Sequence, residues 1–280
     1  MLNKLASRLL FPCLPVDKSA LRRRLKNKTV LITGASYGIG EALAYALADL
    51  PVRLILVART QEKLQQIQSD FTARKADCQT FAADLSKPDE CQTLAEAIDA
   101  LPYPVDIFVN NAGKSIRRPL MASLDRLHDA ERTMSLNYFA PVRLCLHLLK
   151  GHRPRFTHIV NVSAANVLLA PTPHWAAYQA SKTAFDQWLR CGEPELRAGD
   201  VRVSSVYFPL VGTRMIEPTY ANRSVPVLPV EKAANILCRA LLTQKSAFKP
   251  WWLPLGQLCS VLFNSPWRRG WIRYLKASTK

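Results

Sequence analysis

The chain has 280 residues, 49% of them apolar and 21% charged, enough to bury one large core without a second domain. Its net charge of +17 sits at the two ends: residues 1–28 carry eight Lys or Arg against one acid, residues 232–280 carry nine against none, and the stretch between is left at about +1. That distribution excludes a nucleic-acid face spread over the folded part, and seven scattered cysteines without a C-x-x-C pair suggest neither a disulfide framework nor a metal site, so a reducing cytoplasm is expected.

In chain order, residues 1–27 form a basic amphipathic segment, in which Arg8 interrupts the apolar run and Pro12 and Pro15 follow it, a poor secretory signal. No apolar stretch reaches the length of a spanning helix. From residue 28 to 245 strand and helix periods alternate, which predicts an α/β domain: a single Rossmann-type doubly wound parallel sheet with helices on both faces. Lys28–Thr33 reads as a buried strand, Gly40–Leu50 as a helix with Ala42, Leu43, Ala46 and Leu47 on one face, and Arg53–Ala58 as the second strand. Helices are expected over Gln61–Thr72, Pro88–Ala100, Ser123–Leu149, His174–Glu195 and Val230–Leu242. Strands are expected over Thr80–Ala83, Asp106–Asn110, His158–Val162 and Val201–Phe208. The last segment, 246–280, mixes Trp251, Trp252, Trp267 and Trp271 with Arg268, Arg269 and Arg273, as an interfacial membrane segment does. Its alternative role is packing on the core or on a partner subunit.

Between the first strand and helix stands Thr33-Gly34-Ala35-Ser36-Tyr37-Gly38-Ile39-Gly40. Gly34 permits a sharp turn, Gly38 lets the backbone approach a pyrophosphate, and Gly40 starts a helix whose N-terminus favours an anion. The second strand ends Val57-Ala58-Arg59-Thr60, with no acid to repel a 2′-phosphate and an arginine able to pair with one, so NADP(H) is favoured. Further on come Asp84-Leu85, Asn110-Asn111-Ala112-Gly113, Asn137, and Tyr178-Gln179-Ala180-Ser181-Lys182. On a helix Tyr178 and Lys182 share a face, so the ammonium is expected to lower the phenol pKa.

Five such signals in this order resemble the short-chain dehydrogenase/reductase family, and the resemblance implies hydride transfer from a nicotinamide. It assigns proton donation to Tyr178, ribose binding to Lys182, and a water-positioning role to Asn137. Asp84, with Leu85, would meet the adenine, Asn111, Ala112 and Gly113 the adenosine ribose, and Thr213, after Phe208-Pro209, the nicotinamide carboxamide. Ser36, Tyr37 and Ile39 complete the phosphate turn and Pro209 the far side. The family serine falls 13 residues before the tyrosine, whereas Ser163 lies 15 before Tyr178 and positions 164 and 165 are alanine. Ser163 is the only hydroxyl between Thr157 and Thr172, so it is taken as the oxyanion donor: either a bulge in 163–170 brings it into place, or another donor substitutes, or activity is reduced.

Residues 110–118, 127–139 and 208–219 look like bacterial fatty acyl-CoA reductases of that family. That resemblance implies reduction of a long-chain acyl thioester, a substrate lid over 214–230, and coenzyme A phosphates meeting Arg117 and Arg118. A ketoreductase acting on a 3-oxoacyl, sphingoid or steroid-like ketone is the alternative, and a membrane-associated NADP(H)-binding module with little turnover is another. The expected partners are a homodimer or tetramer mate and an anionic membrane surface met through the termini, with no nucleic acid.

Overall fold

The protein is described from a computed structural model, which covers residues 10, 12, 15–220 and 225–278. Lys4, Arg8 and Cys13 of the basic N-terminal segment and residues 221–224 of the expected lid lie outside the described residues. Helix α1 (Lys18–Leu25) is capped by the Asp17 carboxylate, which accepts from Ala20 N at 2.9 Å. Strands β1 (Thr29–Thr33), β2 (Arg53–Ala58), β3 (Asp77–Ala82), β4 (Ile107–Asn110), β5 (His158–Ala164), β6 (Arg202–Phe208) and β7 (Ala247–Phe248) form one parallel sheet in the order β3-β2-β1-β4-β5-β6-β7. β1 and β4 are neighbours, so the order reverses between them and opens a crevice beyond their C-terminal ends.

The connecting helices are α2 (Gly38–Leu47), α3 (Gln61–Ala73), α4 (Pro88–Asp99), α5 (Leu127–Met134), α6 (Ala140–Gly151), α7 (Ala176–Ala198), the single turn α8 (Glu217–Tyr220) and α9 (Val230–Thr243). Two cores result, because strands buried on both faces need helices on each side. One joins Leu43 and Leu47 of α2, Ile67 and Phe71 of α3, and Leu237 and Leu241 of α9 to one face of the sheet. The other joins Leu94 of α4, Leu144 and Leu148 of α6, and Phe185 and Leu189 of α7 to the opposite face. Leu21 and Leu25 of α1 enter the first core. Residues on β5 and β6 alternate accordingly: Val160, Val162 and Val206 face α2 and α9, while Ile159 and Val203 face α7. Asn161 and Ser163, in step with Ile159, therefore face α7.

Several boundaries differ from the expected ones. α2 begins two residues early, at Gly38, and buries Leu43, Ala44 and Leu47, while Ala46 is exposed. Small alanines on both faces gave the periodicity little contrast there. β3 starts at Asp77, three residues early, as an outer strand whose polar residues hide its pattern. The expected helix over 123–149 is instead a 3₁₀ turn (Leu120–Ser123), α5, a π turn (Ser135–Phe139) and α6. After β7 the chain continues into α10 (Leu253–Leu262) and α11 (Asn264–Ser278). Leu253 is fully buried against Ala165 and Tyr207. Among the described residues, no helix is long and apolar enough to cross a membrane.

At the foot of the sheet, opposite the crevice, the fully buried Asp106 carboxylate accepts from Lys28 Nζ (2.9 Å), Thr29 N (2.9 Å) and Arg155 Nε (3.1 Å). Burial alone would raise its pKa, but the Arg155 and Lys28 cations and the Thr29 amide hold it below the usual carboxylate range.

Candidate active site

The turn from β1 to α2 has room only for glycine at its key points. Gly34 and Gly38 have φ of 66° and 63°, which L side chains rarely adopt. A Cβ on Gly34 would lie 2.8 Å from Ala112 Cα, and one on Gly40 would collide with Gly34 O. The amides at the start of α2 receive no side-chain cap, which leaves their N–H groups directed at the crevice for an anion. Thr213 closes the far side, its methyl 3.0 Å from where a Gly38 Cβ would stand. Ser36 is buried in the turn, Ile39 packs on the core, and Tyr37 is covered by the Arg214 guanidinium, 3.9 Å above its ring.

Arg59 stands exposed at the end of β2. Its charge reaches two neighbours. It helps to hold the Asp84 carboxyl below its usual range, against burial and after the two Ser86 hydrogen bonds. It also joins burial and Arg132 in pushing the Lys114 ammonium down. A positive field therefore lies along this end of the crevice, where a phosphate would be welcome. Asp84 Oδ1 accepts from Ser86 N (3.0 Å) and Ser86 Oγ (2.7 Å), a local turn cap, and Leu85 is buried in the second core. Asn111 is spent on the fold: its Nδ2 donates to Thr33 O and Gly34 O, both at 3.0 Å, locking the glycine turn to the end of β4. Ala112 N donates to Thr33 Oγ1 at 3.1 Å.

Gly113 lets the proton-transfer groups close in, since a Cβ there would stand 3.2 Å from Lys182 Nζ and 3.3 Å from Asn137 Oδ1. Lys182 is buried and its Nζ donates to Val162 O at 3.1 Å. Burial pushes its ammonium down to about 8, with Asp186 opposing. One turn above, burial pushes the Tyr178 phenol up to about 12. The expected lowering of the phenol by Lys182 is thus not what this fold produces, because desolvation dominates; at neutral pH Tyr178 is held protonated, as an acid must be. Asn137 sits in the π turn and makes three hydrogen bonds: Oδ1 accepts from Lys114 N (2.8 Å), and Nδ2 donates to Lys114 O (2.9 Å) and Ser181 Oγ (2.9 Å). Pro209 follows β6, half-buried at the same end of the sheet.

Ser163 Oγ is fully buried and faces α7. Opposite it on β6 stands Tyr207, and beneath both lies Asp186, whose carboxyl burial raises while Tyr207, Arg190 and Ser163 oppose. Sequence reasoning missed Asp186 and Tyr207, although Asp186 follows Lys182 at the same four-residue spacing. It also missed Gln179, which ties the β5–α7 connection by accepting from Thr172 N (3.2 Å) and donating to Asn166 O (2.7 Å). Arg118 is committed to Asp129 at 2.9 Å, so of the arginine pair only Arg117 stays exposed for a substrate phosphate.

Asp99, His147 and His152 lie close enough together to suggest a metal site. His152 Nδ1 accepts from Val105 N at 2.9 Å, which makes Nε2 the protonated nitrogen and directs it to Asp99 Oδ1 at 2.9 Å. That ring has no lone pair left for a metal.

Residues 28–224 match the short chain dehydrogenase family. A fatty acyl-CoA reductase of Acinetobacter baylyi is 38% identical over 247 residues, covering 88% of this chain and 82% of the relative. One from Mycobacterium tuberculosis is 36% identical over 241 residues, covering 85% and 82%. Among solved structures, a metagenomic short-chain oxidoreductase in complex with NADP superimposes with a TM-score of 0.65 at 27% identity, covering 80% of this chain and 97% of its own. With the glycine turn, half-buried Tyr178 one turn from buried Lys182, and this match over most of its length, the chain belongs to the short-chain dehydrogenase family of oxidoreductases.

Proposed function

We propose that the protein is an NADPH-dependent reductase that converts a long-chain acyl thioester to the aldehyde at a membrane surface. The observation that carries the reading is the protonated, half-buried Tyr178 one helical turn from buried Lys182, beside a glycine turn with Arg59 at its rim. The α2 N-terminus would hold the pyrophosphate, Arg59 the 2′-phosphate, Lys182 a ribose and Thr213 the nicotinamide end. Bound there, NADPH supplies the hydride. Tyr178 Oη gives its proton to the oxygen of the reduced thioester, and collapse of the resulting thiohemiacetal releases aldehyde and the coenzyme A thiol. Lys182, charged below about pH 8, stabilises the phenolate left behind. Arg117 would meet the coenzyme A phosphates, and the relatives named above support the acyl substrate. The basic termini bring the enzyme to the cytoplasmic face of an anionic membrane, and Phe139 and Leu146, exposed at the start and on the side of α6, support pairing with a second copy into a dimer or tetramer.

Loss of NADPH absorbance with a long-chain acyl-CoA, beside a thermal shift with NADPH alone, tests the reading. Turnover of a 3-oxoacyl chain, but not of the thioester, would make it a ketoreductase, and a thermal shift without turnover of either would leave a nucleotide-binding module.

Cofactor choice rests on Arg59. Arg59→Ala should weaken NADPH by about 1.5–3 kcal/mol, the worth of a charge-assisted hydrogen bond, and leave NADH unchanged. Equal affinity of the parent for both nucleotides would sink the assignment. Ser163 is proposed as the oxyanion donor, since its buried hydroxyl faces α7, the helix that carries Tyr178 and Lys182. Ser163→Ala should then lower turnover roughly 10²–10³-fold with NADPH affinity unchanged. Near-parental activity would instead leave the hydroxyl to Asp186, its neighbour on α7.

A further inference from the structure

Of the seventeen large apolar side chains exposed among the described residues, fourteen lie in three segments: residues 120–127, Met215 of the lid, and residues 251–274. Scattered exposed leucines need no explanation, but concentration into so few segments marks a docking surface. Leu120, Met121, Leu124 and Leu127 are each at least 70% exposed. Val261, Leu262 and Phe263, at the joint of α10 and α11, are each more than half exposed.

Residues 120–127 and the C-terminal segment are fastened to one short stretch of chain, the connection from β5 to α7. Ala170 N donates to Ser260 Oγ of α10 at 3.0 Å, and Trp267 Nε1 of α11 donates to Pro171 O at 3.3 Å. Three residues on, His174 O accepts from Arg118 N at 2.8 Å, at the head of the 120–127 segment. Four residues span at most about 14 Å, so the two apolar segments are tethered close to one another. The connection runs straight into the catalytic turn: Trp175 packs edge-on to Tyr178 with centroids 5.7 Å apart.

We propose that residues 120–127 and the exposed faces of α10 and α11 form one collar around the active-site mouth, and that this collar seats on an anionic bilayer so that an acyl chain enters from the lipid. Charge selects that occupant. Arg268, Arg269, Arg273 and Lys276 lie along α11, and no acid occurs anywhere in 232–280. Trp267, Trp271 and Tyr274 stack edge to face beside those cations, the residue mixture of a membrane interface. The C-terminal half of the collar was visible as a basic aromatic stretch; the 120–127 half is new, and within it Arg126 is offset by Asp125.

Lipid entry rests on the long-chain reading of the substrate, whereas docking does not, and the test separates them. The full chain is sedimented with vesicles of phosphatidylcholine and phosphatidylglycerol, as the parent and as Leu120→Ser/Leu124→Ser, which removes exposed side chains only. The parent should bind, more weakly as salt rises, and the double variant should bind at least about tenfold less, with its NADPH thermal shift intact. A parent that ignores the vesicles, or a double variant that binds like the parent, would overturn the collar. So would loss of a dimer in the double variant without loss of vesicle binding. With docking established, equal turnover by parent and variant of a soluble short acyl thioester, but not of a long one carried in vesicles, supports lipid entry. Equal turnover of both overturns entry alone, and turnover of neither overturns the substrate reading instead.

Discussion

Tyr178→Phe is expected to lower turnover roughly 10³–10⁴-fold while leaving NADPH affinity close to the parent's, because it deletes one proton and little else. Burial holds the phenol near 12, so it stays protonated through the whole working range and can act only as an acid toward a reduced carbonyl oxygen. The companion group sets the pH dependence. Lys182 is pushed down to about 8 by burial, so its ammonium is complete below that value and is lost as pH rises through it. Reductive turnover in the parent should therefore decline above about pH 8, and steady-state rates across pH 6–10 check this. A rate that climbs through that window would mean that Tyr178 works as a phenolate, and the assignment of a protonated donor would fall. A Phe variant within tenfold of the parent would remove Tyr178 from the chemistry altogether.

The parts of the site built on local rules were legible in the sequence. The glycine turn follows from where a backbone must bend and approach an anion, and the Tyr178–Lys182 pair follows from helix geometry. What stayed hidden depends on tertiary packing. Asn137 is carried by a π turn, and such an inserted residue leaves no mark in a 3.6-residue period, so 123–149 read as one helix. Asn111 resembles a ribose ligand in its motif, yet its side chain is spent on Thr33 O and Gly34 O, a use that only the β1–β4 neighbourhood explains. Strand β7 has two residues, too few for any alternation. The sheet-facing direction of Ser163 follows from strand alternation once β5 is placed, but its company with Asp186 and Tyr207 needs the register of β6 and the seating of α7. Lys182 itself looked like a phenol activator because spacing reveals proximity and says nothing of desolvation.

Asp106→Ala should cost the fold about 3 kcal/mol, a large share of the roughly 5–15 kcal/mol that holds a domain together. The carboxylate is fully buried and accepts from two cations and an amide, so removing it strands Lys28 and Arg155 beside an apolar strand end and leaves Thr29 N without its partner. Those cations are 35% and 50% exposed, which lets water screen part of the loss and sets the expectation at the lower end for a broken buried pair. The sign of the pH effect follows from the lowered carboxyl: its contribution is present above the ordinary carboxylate pKa and disappears as pH falls through the lower folded value. Parent and variant should therefore differ most near neutrality and converge in acid. Urea unfolding at pH 7 and in acid measures both, as a shift in midpoint with an unchanged slope. The site should feel the change only through stability, since Asp106 anchors the entry of β4 and the cradle of Asn111, Ala112 and Gly113 hangs from its exit. NADPH affinity in the folded variant should match the parent's. A midpoint shift worth less than about 1 kcal/mol would mean that Lys28 and Arg155 are content in water, and that the clasp closes the foot of the sheet without holding it.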